Sequence, residues 1–557
     1  MTSLKAVFLP MPGKEENSFT AFSRSFEGNS VKLISKVLDK NNSIIAFYLN
    51  GAEFFGLQSF SYPCILISHV MTPSIILGIF LIYTILLFAV TWITARRADS
   101  QSFFIGNRVS PWFVVAYGMI GASLSGVTFM SVPGWVADTQ FSYMVVVFGY
   151  LFGYMVIALV LLPLYYRLKL TSIYTYLDQR FGFWSYKTGA GFFIISRTLG
   201  ASLRMFLVIN VLQIFVFDAW NIPFWINALI FITLILIYTM KGGIRTIIWT
   251  DTLQTTFMLL AVILSVIYIS KGLNMSFSGL FSGIKNGNMT KMFITDWHHE
   301  RFFLKQFFSG MFITIAMTGL DQEMMQKNLS CRNIKEARKN MFTFSGILLV
   351  VNLLFLLLGA FLLYYAQVKG VKVASTDDLF PTIALEYLGP VAGIVFLVGL
   401  ISAAFPSADG ALTSLTTSVS IDFLGINTDE RLTEKKRTRI RYSVHLSIAL
   451  LFFVSILAFS TLNNKAVIDK LFTIAGYTYG PLLGLYSFGL FTRRKVKDKI
   501  TPYIAILSPV VCYLLSRYSV QLFNGYKFGF ELLLLNGFLT FTGLLIFSSA
   551  DPVKAKA

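Results

Sequence analysis

Apolar residues run through this chain in blocks of about twenty, separated by short polar connections, from Met71 almost to the last residue. About 20 apolar residues cross the hydrocarbon core as a helix, and a helix satisfies its own backbone there. The pattern therefore predicts an all-α polytopic membrane protein. Thirteen membrane spans are expected, near 73–95, 112–135, 142–165, 188–216, 222–240, 252–270, 304–322, 343–366, 382–424, 440–460, 468–491, 500–517 and 529–548. Residues 1–70 do not share the pattern. They lack the ordered positive start, apolar centre and small-residue cleavage site of a signal peptide, and Met71 opens a run that is itself a natural start. They are read as an N-terminal extension, followed by a transmembrane domain over 71–550 and a cytoplasmic tail over 551–557. Mass spectrometry of the native N-terminus decides whether the extension is made, since a peptide from before Met71 would show that it is.

Two blocks carry more than grease. The ninth reads AGIVFLVGLISAAFPSADGALTSLTTSVSIDFLG, with Pro406, Ser407, Asp409 and Gly410 at its middle and a run of hydroxyl residues from Thr413 to Ser420. A carboxylate at mid-span costs roughly 3 kcal/mol on insertion scales, so it faces a protein interior or a wet cavity. A proline frees a carbonyl one turn earlier, and carbonyl, hydroxyl and carboxylate oxygens together suit small hard cations. The plain alternative is a kinked helix whose hydroxyls bond back to their own backbone. The second block, GMIGASLSGVTFMSVPGWV, crowds Gly118, Gly121, Ala122, Ser123, Ser125 and Gly126 together. Such a stretch either unwinds and offers bare carbonyls or forms a close helix contact.

The formal charge of +19 is too dispersed for a nucleic-acid surface, because the basic residues sit in short loops. Most follow odd-numbered spans, as in Arg332, Lys335, Arg338 and Lys339, or Arg437, Arg439 and Arg441. The positive-inside bias puts the N-terminus outside and the C-terminus in the cytoplasm. Three distant cysteines and four histidines show neither disulfide nor metal-ligand spacing. No His, Cys or Ser constellation accompanies an intramembrane acid, so no enzyme is expected. Two arginines, Arg197 and Arg204, lie seven residues apart and nearly on one helix face. An arginine at that depth wants a carboxylate or an anionic ligand, and Asp409 is the expected partner of Arg204. Two other arrangements stay open for Asp409: a proton shared with Asp251, or a sodium ion between the two acids.

The inward loops carry TSIYTYLDQRFG, KGGIRTIIWTDTLQ and GLDQEMMQKNLSCRNIKEARKN, and the ninth span ends in SIDFLG. In this order the boxes resemble the sodium/solute symporter family, which includes proline, glucose, sialic acid and iodide symporters. The resemblance covers Met71 to the C-terminus. It implies a LeuT-like fold of two inverted five-helix repeats, about 112–270 and 304–491, with sites at broken helices near the midplane. It also implies a main sodium site at Gly121, Leu124, Ala403, Pro406 and Ser407, where Pro406 removes one hydroxyl. A second sodium site of some relatives would fall on Asp251, Asp409 and Gly410. Asp251 also reads as the N-cap of its span. A solute pocket is implied near Thr128, Phe129, Gln140, Tyr143, Thr318 and Tyr477. The expected function is symport of a small organic solute, a sugar, carboxylate or amino acid, with sodium across the plasma (inner) membrane. No organic cofactor and no transition metal is implied. Coupling to a proton or to no ion is the alternative within the fold, and a solute sensor acting through a separate partner is the alternative outside it.

Overall fold

The computed structural model describes residues 73–95, 100–287, 289–426, 429–461 and 467–549, and two short strands at 33–34 and 48–49. Contacts divide the chain into two units, Met1–Val70 and Met71–Ala557. In the first, Leu33–Ile34 and Tyr48–Leu49 pair antiparallel. The remaining expectations for residues 1–70, and those for the tail at 551–557, lie outside the described residues.

The second unit is helical. Its helices are α1 (Pro73–Ala95), α2 (Trp112–Ser123 and Gly126–Thr139), α3 (Tyr143–Arg167), α4 (Phe183–Leu212), α5 (Phe224–Met240), α6 (Gly242–Gly272) and α7 (Phe303–Gly319 and Gln322–Leu329). They continue with α8 (Ile334–Lys369), α9 (Pro390–Phe423), α10 (Glu434–Ser460), α11 (Val467–Phe491), α12 (Asp498–Arg517) and α13 (Leu532–Ile546). Among the described residues, eight are long and apolar enough to cross a membrane, or up to ten if each bent pair counts as one span. Helices α5 and α13 are shorter. The expected count of thirteen crossings thus goes beyond what length and composition support.

Helices α2 and α7 are bent by 57° and 66° at their breaks. Each is the first member of an expected repeat, and equivalent breaks at equivalent places are what an inverted repeat produces. The α7 break follows a π-helical turn at Ile315–Gly319, and Asp321 restarts the helix by accepting the backbone N–H groups of Glu323 and Met324 at 3.0 and 3.2 Å. In the ninth block, Pro406 and Gly410 lie inside a continuous helix, Pro390–Ser418, in which proline has no N–H to offer the preceding turn. Asp251 is also corrected: α6 begins at Gly242, leaving Asp251 mid-helix and fully buried rather than capping the N-terminus.

Small residues decide which helices touch. A Cβ at Gly149 would strike the Phe307 carbonyl, and one at Gly310 would strike the Val146 carbonyl, so α3 and α7 cross backbone to backbone. Gly118 packs closely on α6, where an added Cβ would lie 3.1 Å from the Ile248 carbonyl. Helix α10 shows the solvent the fold is built for. It buries Val444, Ile448, Phe452 and Ile456 while exposing Leu446, Leu450 and Val454, an apolar face that only lipid covers comfortably.

Candidate functional site

The break in α2 is where backbone becomes available. Leu124 still donates to the Ile120 carbonyl at 2.8 Å, and the next helix opens with Phe129 donating to Ser125 at 3.1 Å. Between them, no backbone N–H among the described residues reaches the carbonyls of Gly121 or Leu124. The N–H of Gly121 is held by Thr255 Oγ1 of α6 at 3.0 Å, and a Cβ at Gly121 would collide with that hydroxyl. Helix α9 packs on both halves of α2. From it, Ser407 brings a fully buried hydroxyl that has no hydrogen-bond partner. Bare carbonyls and an orphaned hydroxyl are the oxygen types a small monovalent cation takes, and Pro406 supplies no oxygen from its side chain.

The same break opens onto a cavity of about 90 Å³. Leu124 and Thr128 of α2, Tyr143, Tyr150 and Tyr154 of α3, and Thr314 and Thr318 of α7 line it. Tyr143 and Tyr150 bond through their hydroxyls at 3.1 Å. Arg197 and Arg204 complete the wall from α4. They are not equivalent. Arg197 is tied to Glu323 and lies 3.9 Å from Asp321, whereas Arg204 makes no hydrogen bond or ion pair among the described residues and its Nε is orphaned.

Below this cavity runs a chain of buried charge. Glu323 is shared by Arg197 and by Lys327, whose Nζ is 3.4 Å from Glu323 Oε1 and 2.7 Å from Asp251 Oδ2. Asp321 accepts the Tyr479 hydroxyl at 2.7 Å. Asp409 accepts the Tyr238 hydroxyl at 2.6 Å through Oδ2, and its Oδ1 has no partner. All four acids are fully buried. Buried charge persists only when paired and hydrogen-bonded, so this network fixes how α4, α6 and α7 sit against each other.

The expected site residues separate accordingly. Thr128, Tyr143 and Thr318 line the cavity. Phe129 does not; it packs against Phe355, Phe380 and Phe396 in an aromatic core. Gln140 and Tyr477 do not line the cavity either: Gln140 accepts the backbone N–H of Lys291 at 3.1 Å, and Tyr477 stacks edge-on to Tyr513. Gly121 and Leu124 flank the break in α2, while Ala403, Pro406 and Ser407 lie within the unbroken α9 that packs on both halves of α2. The expected pair of Arg204 with Asp409 is absent: Arg204 faces the cavity, and Asp409 is held by Tyr238. Asp251 is likewise taken by Lys327 rather than left for an ion beside Asp409 and Gly410. Several hydroxyls of α9 follow the plainer alternative, as Ser414 and Thr417 bond back to the Ala411 and Thr413 carbonyls.

Sequence reasoning missed Glu323, Lys327 and Tyr238. A span ending near 322 made the first two look like loop charges, and Tyr238 reads as an ordinary aromatic in an apolar run. The signal for the pair was their spacing of four within DQEMMQK, which puts both on one helix face.

Comparison with known proteins gives the family and the fold. The chain is 23% identical over 454 residues to a sodium/sialic acid symporter of Proteus mirabilis, covering 77% of this chain and 87% of that one. It is 24% identical to the human sodium-coupled monocarboxylate transporter 2, covering 71% and 64%. The fold matches the substrate-bound, outward-open state of a Na+-coupled sialic acid symporter with a TM-score of 0.70 at 19% identity, over 85% of this chain and 97% of that one. The fold is thus LeuT-like. The family model for sodium:solute symporters matches residues 103–498, and the chain belongs to the sodium:solute symporter family.

Proposed function

We propose that this protein is a sodium-coupled secondary transporter of a small organic anion, most simply a carboxylate. The observation that carries the anionic class is Arg204, a buried guanidinium that lines the cavity with no acid paired to it. An unpaired buried charge is expensive, and a bound carboxylate relieves it through the bidentate contact that guanidinium geometry favours. The neighbouring tyrosine and threonine hydroxyls supply neutral partners for the rest of the solute. Relatives named for sialic acid, monocarboxylates and iodide all handle anions, which supports this class over neutral sugars. The cation goes to the carbonyls of Gly121 and Leu124 with the Ser407 hydroxyl. Because the break in α2 borders both sites, occupying one organises the backbone that the other uses.

Competition against uptake of a labelled monocarboxylate tests the class. Carboxylates should compete and neutral sugars should not, and Arg204→Gln should raise the half-saturating concentration at least tenfold. Neutral competitors that work as well in wild type as in Arg204→Gln would reject the anionic reading.

A further inference from the structure

Lys327 stands where a free cation would be expected. Its side chain is 1% exposed, its ammonium lies 2.7 Å from Asp251 Oδ2 and 3.4 Å from Glu323 Oε1, and Glu323 is fixed from its other side by Arg197. The carboxylate of Glu323 also fills the space at Gly410, where a Cβ would run into it. The oxygens that would form a second ion site around Asp251 and Gly410 thus already enclose a positive charge. An ammonium has the charge of an alkali ion and three donors, but its chain holds it in the protein. It comes from the half of α7 that follows the break, so the bend in α7 is what delivers it to α6.

We propose that Lys327 is a tethered cation that satisfies Asp251 in place of a transported ion, and that removing its charge opens a vacant site for one free monovalent cation. Wild type then carries its coupling ion only at the α2 break. This inference deepens the transport reading but is judged by binding, so the two can fail separately. A protein that binds sodium once yet accumulates nothing leaves the tethered cation standing and refutes transport.

The test is equilibrium binding of radioactive sodium to the purified full-length protein, with thermal unfolding measured in sodium and in N-methyl-glucamine. Wild type should bind no more than one sodium per chain. Lys327→Ala should bind one more and should show a larger sodium-dependent rise in unfolding temperature than wild type. Lys327→Ala/Asp251→Asn should return to the wild-type count and lose that extra rise. Two sodium ions in wild type, or an unchanged count in Lys327→Ala, overturns the proposal. Should Lys327→Ala not fold, the paired change decides: yield and unfolding temperature of the double variant must exceed those of either single variant, and failure to do so equally overturns it.

Discussion

Ser407 is a small test of what the α2 break is for. Its hydroxyl is buried without a partner, and leaving such a group unsatisfied costs about 1–3 kcal/mol unless something binds it. In sodium-free buffer, Ser407→Ala should therefore unfold at the same temperature as wild type or slightly higher. With sodium, the stabilisation that wild type gains should shrink, because one oxygen of the cation's shell is gone. Differential thermal unfolding in the two salts reads both effects, and an undiminished sodium shift would remove Ser407 from the site. Legibility in the sequence divided along this line. Asp409 was conspicuous because an acid inside an apolar run needs a reason, but nothing local to it pointed to Tyr238, which lies 171 positions away. Arg204 was equally conspicuous, and its assignment to Asp409 failed because charge complementarity does not reveal which helix faces which.

Among the elements, the decisive features are contacts that the sequence holds only as motifs. The TSIYTYLDQRFG stretch closes one face of the bundle: Arg180 donates to the Gly489 and Thr492 carbonyls at 3.2 and 2.7 Å, and the Ile173 N–H donates to Gln322 of α7 at 2.9 Å. Tyrosine hydroxyls latch the same face, Tyr174 to the Leu320 carbonyl at 2.9 Å and Tyr166 to the Cys331 carbonyl at 3.0 Å. These bonds would have to part for solute to leave on this side. Cys331, fully buried in the loop after α7, reports on that event, since burial pushes its thiol up to about 12 and keeps it from reacting while the latch is shut. An impermeant maleimide should label Cys331 slowly in wild type and several-fold faster in Tyr166→Phe/Tyr174→Phe. By the charge bias of the loops, it should do so only from the cytoplasmic side. Labelling from the outer side would reverse the proposed topology. The position of these boxes was readable from the sequence; their work as clamps was not, because each partner lies on a distant helix.

At the scale of the whole molecule, the two broken helices α2 and α7 meet around one cavity, and the small-residue crossing of α3 on α7 locks those two helices backbone to backbone beside it. That architecture was legible because hydrophobic blocks and motif order survive in sequence, whereas the number of true crossings and the wiring of the buried acids depend on tertiary packing. The central claim is that a sodium gradient drives an organic anion through this cavity. Accumulation of a labelled monocarboxylate in proteoliposomes measures it directly. With an inward sodium gradient, the internal concentration should overshoot the external one and collapse when a sodium ionophore is added, and Arg204→Gln vesicles should show no overshoot. Uptake that stops at equal concentrations, or that follows an imposed proton gradient with no response to sodium, would contradict the account.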